Sequence, residues 1–263
     1  MDHILEIAVE AAHEAGDIMK KMRSTFTKEI KKDGTPVTDA DKACSKAIRE
    51  MILGAFPDHG YLCEESGFVK GTSELWWATD PIDGTSSYIN GEKTAVVSIA
   101  MLNGSEIELG IIYNPFTDEF YAGAKGMETR LNGTLIHTNH ETELSGAVVN
   151  FQISDTHLDD IIGLYKLSAD DKIGKLVSLK GSTAYAFSQI ADGSQSVYIA
   201  HSRRPANAWD ICAGIYFVRS VGGIVTDWKG KDIVSPFEVD NLVVSANQDV
   251  HEQALSAIAD ILR

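Results

Sequence analysis

Apolar residues recur at helical spacing from Ile4 to Met22. Ile4, Leu5, Ala8, Ala11, Ala12, Ala15, Ile18 and Met19 fall on one face, so the pattern predicts an amphipathic first helix. The polar, glycine-containing stretch Lys31–Pro36 then reads as a loop. Thr38 or Asp39 offers an N-cap for a second helix running to about Leu53, with Ala43, Ala47, Ile48, Met51 and Ile52 on its apolar face. Phe56–Gly60 has turn chemistry, and Tyr61–Cys63 reads as a short strand delivering Glu64 and Glu65. Leu75–Ala78 reads as the end of a buried strand. Strand-like segments at Thr94–Leu102, Ile107–Tyr113 and Glu119–Ala122 follow, with turns at Asn103-Gly104 and Asn114-Pro115, which predicts an antiparallel meander.

Further along the pattern changes. Strands near Ala147–Phe151, Leu176–Leu179, Ser196–Ile199, Gly223–Thr226 and Asn241–Ser245 alternate with helical stretches near His157–Leu167, Ser182–Ala191, Trp209–Ser220 and Asp249–Leu262. That alternation predicts an α/β second half. No repeat, low-complexity tract or linker separates the halves, so 1–145 and 146–263 are expected to form one compact unit.

The chain has 263 residues, 44% hydrophobic and 23% charged, as ordinary soluble globular proteins do. Its formal net charge of −15 argues against nucleic acid or an anionic membrane surface as partner. An anionic small molecule stays possible wherever a bound cation reverses the local field. Cys44, Cys63 and Cys212 lie far apart with no CxxC spacing, which fits a reduced, cytoplasmic protein. The first residues lack a basic segment followed by an apolar run, so no secretory signal is expected. No run approaches the ~18 apolar residues of a membrane span.

The densest chemistry lies in Asp80-Pro81-Ile82-Asp83-Gly84-Thr85. Two carboxylates three positions apart make an oxygen-rich corner, and Mg²⁺ prefers oxygen ligands with room left for phosphate and water. Gly84 has no Cβ to keep a phosphate from the backbone, and Thr85 offers a hydroxyl. Alone, the segment would also serve as an acidic turn. Four other features stand beside it: Glu64-Glu65-Ser66-Gly67 after a strand, Asp41 at a helix start, Gly181-Ser182-Thr183-Ala184 opening another helix, and Trp209-Asp210 heading an apolar helix before Gly222-Gly223. Taken singly, each is explained as a solvated strand end, a first-turn acid or a cap.

Together these blocks, in this order and spanning essentially the whole chain, resemble the inositol monophosphatase family of lithium-sensitive, Mg²⁺-dependent phosphatases. The resemblance implies a layered αβαβα sandwich of the inositol monophosphatase and fructose-1,6-bisphosphatase type, and a homodimer. It implies two or three Mg²⁺ ions. Glu64, Asp80 and the Ile82 carbonyl would hold one, and Asp80, Asp83 and Asp210 a second. A weaker third would sit near Glu64. It makes Thr85, supported by Asp41, the group that orients the attacking water beside Glu64. Phosphate and substrate contacts are expected from Asp83, Gly84, Thr85, Gly181, Ser182, Thr183, Arg203 and Asp210. The chemistry agrees, because two metals neutralise a phosphate dianion, position it and stabilise the leaving oxygen.

The ester is less legible. Inositol-specific members carry a glutamate seven residues before the Trp-Asp aspartate, and this chain has Arg203 there. An arginine donates in a planar fork suited to anions, which turns the expectation toward a second anionic group. Fructose 1,6-bisphosphate and 3′-phosphoadenosine 5′-phosphate are the alternatives it raises. Lys32–Thr38, Phe56–Gly60 and Ser86–Ile89 resemble the histidinol-phosphate phosphatase branch, whereas Trp209-Asp210 is typical of the inositol branch. For Lys31 and Lys32 two readings stand, a lysine reaching the site mouth and, favoured of the two, a solvated loop lysine, and His59, His137 and His201 are read as structural or exposed. A catalytically idle ligand-binding regulator on the same fold is the alternative of another class. The intact set Glu64, Asp80, Asp83, Thr85 and Asp210 speaks against it.

Overall fold

The first amphipathic stripe folds as α1 (Asp2–Met22), buried along Ala8, Ala11, Ala12, Ala15 and Met19. The loop expected at Lys31–Pro36 forms the turn of a hairpin, with β1 (Lys28–Ile30) antiparallel to β2 (Pro36–Thr38). Each strand has three residues and β1 is exposed throughout, so no apolar alternation marked it. Thr27 anchors the hairpin's base, its N–H and hydroxyl each donating to the Asp39 carboxylate at 2.9 Å. Thr38 caps α2 (Asp39–Ala55). The small alanines of α1 allow close approach, and Cys44, Ile48 and Ile52 of α2 join them in one core. Fully burying an isoleucine there contributes roughly 1.5–3 kcal/mol.

The strands β3 (Gly60–Cys63), β4 (Gly67–Val69) and β5 (Leu75–Asp83) come next, followed by the five-residue α3 (Thr85–Ile89). Then come β6 (Val96–Asn103), β7 (Glu106–Asn114), β8 (Glu119–Ala124), β9 (Arg130–Leu131) and β10 (Thr134–Leu135). They build an eight-stranded sheet in the order β10-β9-β8-β7-β6-β5-β3-β4. β6 to β8 form the expected antiparallel meander, β5 extends it antiparallel to β6, and β3 runs parallel to β5. The helices α1 and α2 pack on one sheet face through Trp77, Val97, Ile99, Met101, Leu109 and Ile111. The opposite side of β6 is buried too, and there the Ser98 hydroxyl donates to the Trp209 carbonyl at 3.0 Å. Cover on both faces is why β6 reads as a continuous apolar run.

The later elements are β11 (Val148–Phe151), α4 (Leu158–Ala169), β12 (Lys175–Val177), α5 (Thr183–Ala191) and β13 (Val197–Ala206). They are followed by α6 (Ala208–Ser220), β14 (Ile224–Thr226), β15 (Val239–Ser245) and α7 (Gln248–Ile261). Their five-stranded sheet has the order β12-β11-β13-β15-β14, parallel around β11 and antiparallel around β15. Leu164 and Leu167 of α4 and Val250, Ala254 and Ile258 of α7 pack on Val149, Phe151, Val197, Ile199 and Val243. The mixed α/β class is as expected.

This computed structural model describes residues 1–152, 158–178, 181–234 and 239–261, apart from the side chains of 202–204, 260 and 261. The expected element ends at His157, Leu179 and Leu262 lie outside them. The chain divides into two units, Met1–Thr134 with Gly181–Tyr185 and Ala208–Tyr216, and Leu135–Lys180 with Ala186–Asn207 and Phe217–Arg263. The division therefore interleaves instead of falling at one cut near 145. The two late segments belong with the first unit because their first turns bond to β5 and β6. All three cysteines are buried and unpaired. No helix among the described residues is long and apolar enough to cross a membrane.

Two buried histidines brace the sheets as neutral rings. The Trp77 indole N–H donates to His59 Nδ1 at 3.0 Å, and His251 lies 3.0 Å from both the Ser245 and Thr226 hydroxyls. Burial lowers both from the ordinary histidine value of 6.5. The unfolded chain therefore takes up these protons first, and this contribution, intact above 6.5, is lost as pH falls below it. His59→Gln keeps an acceptor for Trp77 without the titration. Urea unfolding at about pH 7.5 and about pH 5.5 should show a smaller loss in that variant than in the parent. An equal loss would exclude His59 as a source.

Candidate active site

Strand geometry alone would separate Asp80 from Asp83, because side chains three positions apart on a regular strand point to opposite faces. The strand does not end at Ala78, as its apolar run suggested, but continues through Asp83. Its pairing with β6 slips on the way, since Asp80 opposes Ser98 and Asp83 opposes Val96. Three steps on β5 are matched by two on β6, which is a β-bulge. Pro81 sits within it, lacking the N–H a regular ladder would need. The extra residue returns Asp83 to the side of Asp80.

The Asp80, Asp83 and Asp210 carboxylates each place an oxygen within 4.8 Å of the others. Asp80 and Asp83 are only 2% and 5% exposed. Burial, reinforced by Glu64, Asp83 and Asp210, raises Asp80 well above the ordinary carboxylate range. Burial also pushes Asp83 up to about 7, against donors that favour its charge. Hard oxygen donors converging in a buried place fit a divalent cation of the Mg²⁺ type.

Asp80 and Asp83 are also held by neutral donors. Asp80 Oδ1 accepts from the Ile82 N–H at 3.0 Å. Asp83 Oδ2 accepts from the Ser182 hydroxyl and the Ala184 N–H, both at 2.7 Å. Ser182 also caps α5, accepting from the Tyr185 N–H at 2.9 Å. Asp83 thus lies at a helix N-terminus, where the backbone dipole favours a carboxylate.

Two glycines permit this meeting. Gly84 has φ +92°, and a Cβ on it would lie 3.2 Å from the Gly181 carbonyl carbon. Gly181 has φ +117°, and its Cβ would come within 2.1 Å of Ser87 Oγ. Thr183 opens α5 beside them.

Thr85 stands next to Gly84 at the start of α3. Its hydroxyl lies 2.9 Å from Asp41 Oδ1 and 3.2 Å from the Ile82 carbonyl, and its single proton serves one of them at a time. Asp41 is 1% exposed, and burial raises its pKa against the bonds from Thr38. Thr38 donates to Asp41 Oδ2 from its N–H at 2.8 Å and from its hydroxyl at 2.5 Å, and the Asp41 N–H returns a bond to that hydroxyl. The N-cap anticipated for α2 therefore also clamps Asp41. Sequence spacing identified the cap but not this second duty.

Lys31 departs from the solvated lysine expected. Its Nζ lies 2.8 Å from Glu64 Oε1 and 2.5 Å from Glu65 Oε1. The hairpin tip delivers it, as the less favoured reading, a lysine at the site mouth, had it. Glu64 follows β3, its N–H donating to the Thr79 carbonyl at 3.3 Å. It acts electrostatically on Asp80, Asp83 and Asp41 while lying outside the three-aspartate cluster. Arg203 falls on β13, and its side chain lies outside the described residues. His59 is structural, and His201 pairs with Asp160 at 2.6 Å.

A profile of the inositol monophosphatase family matches residues 1–263. The chain is 31% identical over 253 residues to the fructose-1,6-bisphosphatase/inositol-1-monophosphatase of Aquifex aeolicus, spanning 94% of this chain and 92% of that protein. It is also 31% identical over 238 residues to the Nus factor SuhB of Pasteurella multocida, spanning 88% and 87%. Among solved structures, the extragenic suppressor protein SuhB of Bartonella henselae matches with a TM-score of 0.88 at 26% identity, over 97% of this chain and 98% of that one.

A cation binding these carboxylates must meet them ionised, so it displaces the protons that burial retains. With burial raising both Asp80 and Asp83, the latter to about 7, Mg²⁺ binding at neutral pH should release protons. Calorimetric heats should then differ between buffers of low and high ionisation enthalpy, and affinity should weaken as pH falls below about 7. Buffer-independent heats with a flat pH profile would contradict this electrostatic picture.

Proposed function

This chain belongs to the inositol monophosphatase family, and on that premise we propose that it hydrolyses a small-molecule phosphate monoester with Mg²⁺ as cofactor. The carrying observation is three carboxylate oxygens within 4.8 Å of one another beside the hydrogen-bonded Thr85–Asp41 pair. Asp80, Asp83 and Asp210 would hold the ion, with Glu64 and the Ile82 carbonyl as ligands toward further ions. Bound Mg²⁺ supplies charge neutralisation and Lewis acidity.

The protein's own groups do the positioning. With its proton on Asp41 Oδ1, Thr85 Oγ1 turns lone pairs outward and accepts a hydrogen from the attacking water. One lone pair of that water then faces phosphorus. As the new P–O bond forms and the ester P–O bond breaks, the leaving alkoxide takes a proton from solvent water to depart as the alcohol. The attacking water's proton moves to Thr85 Oγ1 while Thr85's own proton passes to Asp41. Burial has already raised Asp41's affinity for that proton. The backbone N–H groups of Gly84 and Thr85 are assigned to phosphate oxygens, and Gly181, Ser182 and Thr183 to the same rim.

Inositol 1-phosphate heads the substrate class, as the family name suggests. The relative named as a fructose-1,6-bisphosphatase as well as an inositol-1-monophosphatase, together with Arg203 in place of a glutamate, keeps bisphosphates beside it. Inhibition by Li⁺, a homodimer and a cytoplasmic setting belong to the same reading. An idle regulator remains the reading of another class, and some relatives carry the name Nus factor. The net charge of −15 weighs against direct binding of RNA.

Phosphate release from inositol 1-phosphate, fructose 1,6-bisphosphate, 3′-phosphoadenosine 5′-phosphate and histidinol phosphate, with and without Mg²⁺, decides between these classes. Mg²⁺-dependent turnover of at least one is expected. Turnover of none would favour the regulator. Asp80→Asn and Asp210→Asn should abolish that turnover with melting curves still cooperative. Thr85→Ala should lower kcat by about 100-fold or more. Full activity in a folded Asp80→Asn protein would defeat the assignment.

A further inference from the structure

The hydrolytic reading gives no task to Glu92, a carboxylate in the segment between α3 and β6 that bonds neither to the aspartate cluster nor to Thr85. We infer that Glu92 is a positioning residue for phosphate: by holding the Ser87 hydroxyl it fixes the seat of Gly181, and with it the Gly181–Thr183 rim beside Gly84 and Thr85. The inference deepens the hydrolytic reading above and rests on it.

Gly181 is seated on a side chain. A Cβ added to it would lie 2.1 Å from Ser87 Oγ, 2.8 Å from Ser87 Cβ and 3.6 Å from Thr94 Oγ1. The Ser87 side chain, buried on α3, therefore occupies the place a side chain at 181 would need. Gly84 closes on the same residue, since its own Cβ would meet the Gly181 carbonyl carbon at 3.2 Å. Contacts this tight leave no slack, so the spacing between the two segments assigned to phosphate follows the rotamer of Ser87.

Glu92 sets that rotamer. Its carboxylate accepts the Ser87 hydroxyl at 2.7 Å. An ionised carboxylate can only accept, so this bond fixes where the hydroxyl's proton points and turns its lone pairs elsewhere. The backbone around Glu92 is pinned as well. Its N–H donates to the Ser87 carbonyl at 2.9 Å, and its carbonyl accepts from Arg23 Nη2 at 2.6 Å. Arg23, just past the end of α1, lies over the Phe116 ring at 3.8 Å. The next carbonyl, that of Lys93, accepts from Asn114 Nδ2 at 2.8 Å, and Asn114 is fully buried.

Asp83 has support of its own. The Ala184 N–H donates to it at 2.7 Å, and the Tyr185 N–H holds Ser182 Oγ at 2.9 Å, both from α5. Loosening the seat of Gly181 should therefore weaken the hold on phosphate while leaving the aspartate cluster in place.

The test uses the full chain with Mg²⁺ and whichever of the four esters named above it turns over fastest. Glu92→Ala should raise KM and the inhibition constant of inorganic phosphate by about tenfold, the scale of one hydrogen bond to a charged group, with kcat within about threefold of the parent. Mn²⁺ affinity measured without substrate should change by no more than about twofold. Glu92→Gln keeps an acceptor for Ser87 and should bring both constants back to within about threefold of the parent. Ser87→Ala should give the same rise as Glu92→Ala, and the double variant no more than either alone. Parental constants in Glu92→Ala, an equal rise in Glu92→Gln, or Mn²⁺ affinity falling in step would overturn the inference while leaving the hydrolytic reading standing. A parent that turns over no ester and binds no phosphate beside Mg²⁺ would overturn both.

Discussion

Negative charge gathered where water is scarce is the constraint around which the first unit is organised. Asp41, Asp80 and Asp83 are almost wholly buried, and Asp210 joins the latter two at close range. Leaving such groups ionised in a poorly solvated place is unfavourable unless hydrogen bonds or opposite charge compensate. The fold applies both remedies, to different residues. Asp41 receives two bonds from Thr38 and one from Thr85, and Asp83 receives the N-terminus of α5. Glu64 and Glu65 receive Lys31. The donors on Asp80 and Asp83 are uncharged and leave the carboxylate charge in place, which is what makes the cluster a place for a cation.

That division of labour gives the corner its chemistry. Neutral donors fix each carboxylate in direction while leaving its charge for a ligand, as hydrogen bonds to a metal ligand's second oxygen do in metal sites generally. The Thr85–Asp41 pair is kept one step away, where it can take a proton. The same constraint explains why the two late segments sit with the first unit. Gly181–Tyr185 completes Asp83, and Ala208–Tyr216 supplies Asp210 and the carbonyl bonded by Ser98.

Much of this was legible in the sequence, for physical reasons that differ by element. The long helices and the meander announced themselves by apolar period, because each buries one face or a whole strand. The acidic residues were found by type and order, since few other patterns place carboxylates, glycine and threonine so close together. The bulge at Pro81 was not legible. Nothing in the letters says that a strand continues past an apolar run, or that one extra residue turns Asp83 to the side of Asp80. The hairpin escaped for a similar reason, being too short and too exposed to leave a period. Lys31 was legible only as an alternative, because the partner that gives it meaning lies 33 residues away. The chain's division was hidden too, since it depends on contacts made by first turns rather than on any composition change.

Crystals grown or soaked with Mn²⁺ and measured for anomalous scattering test the central claim most directly. The account predicts an anomalous peak bounded by the carboxylates of Asp80, Asp83 and Asp210. Ions found elsewhere with none among those three side chains, at a concentration that saturates binding in solution, would contradict it.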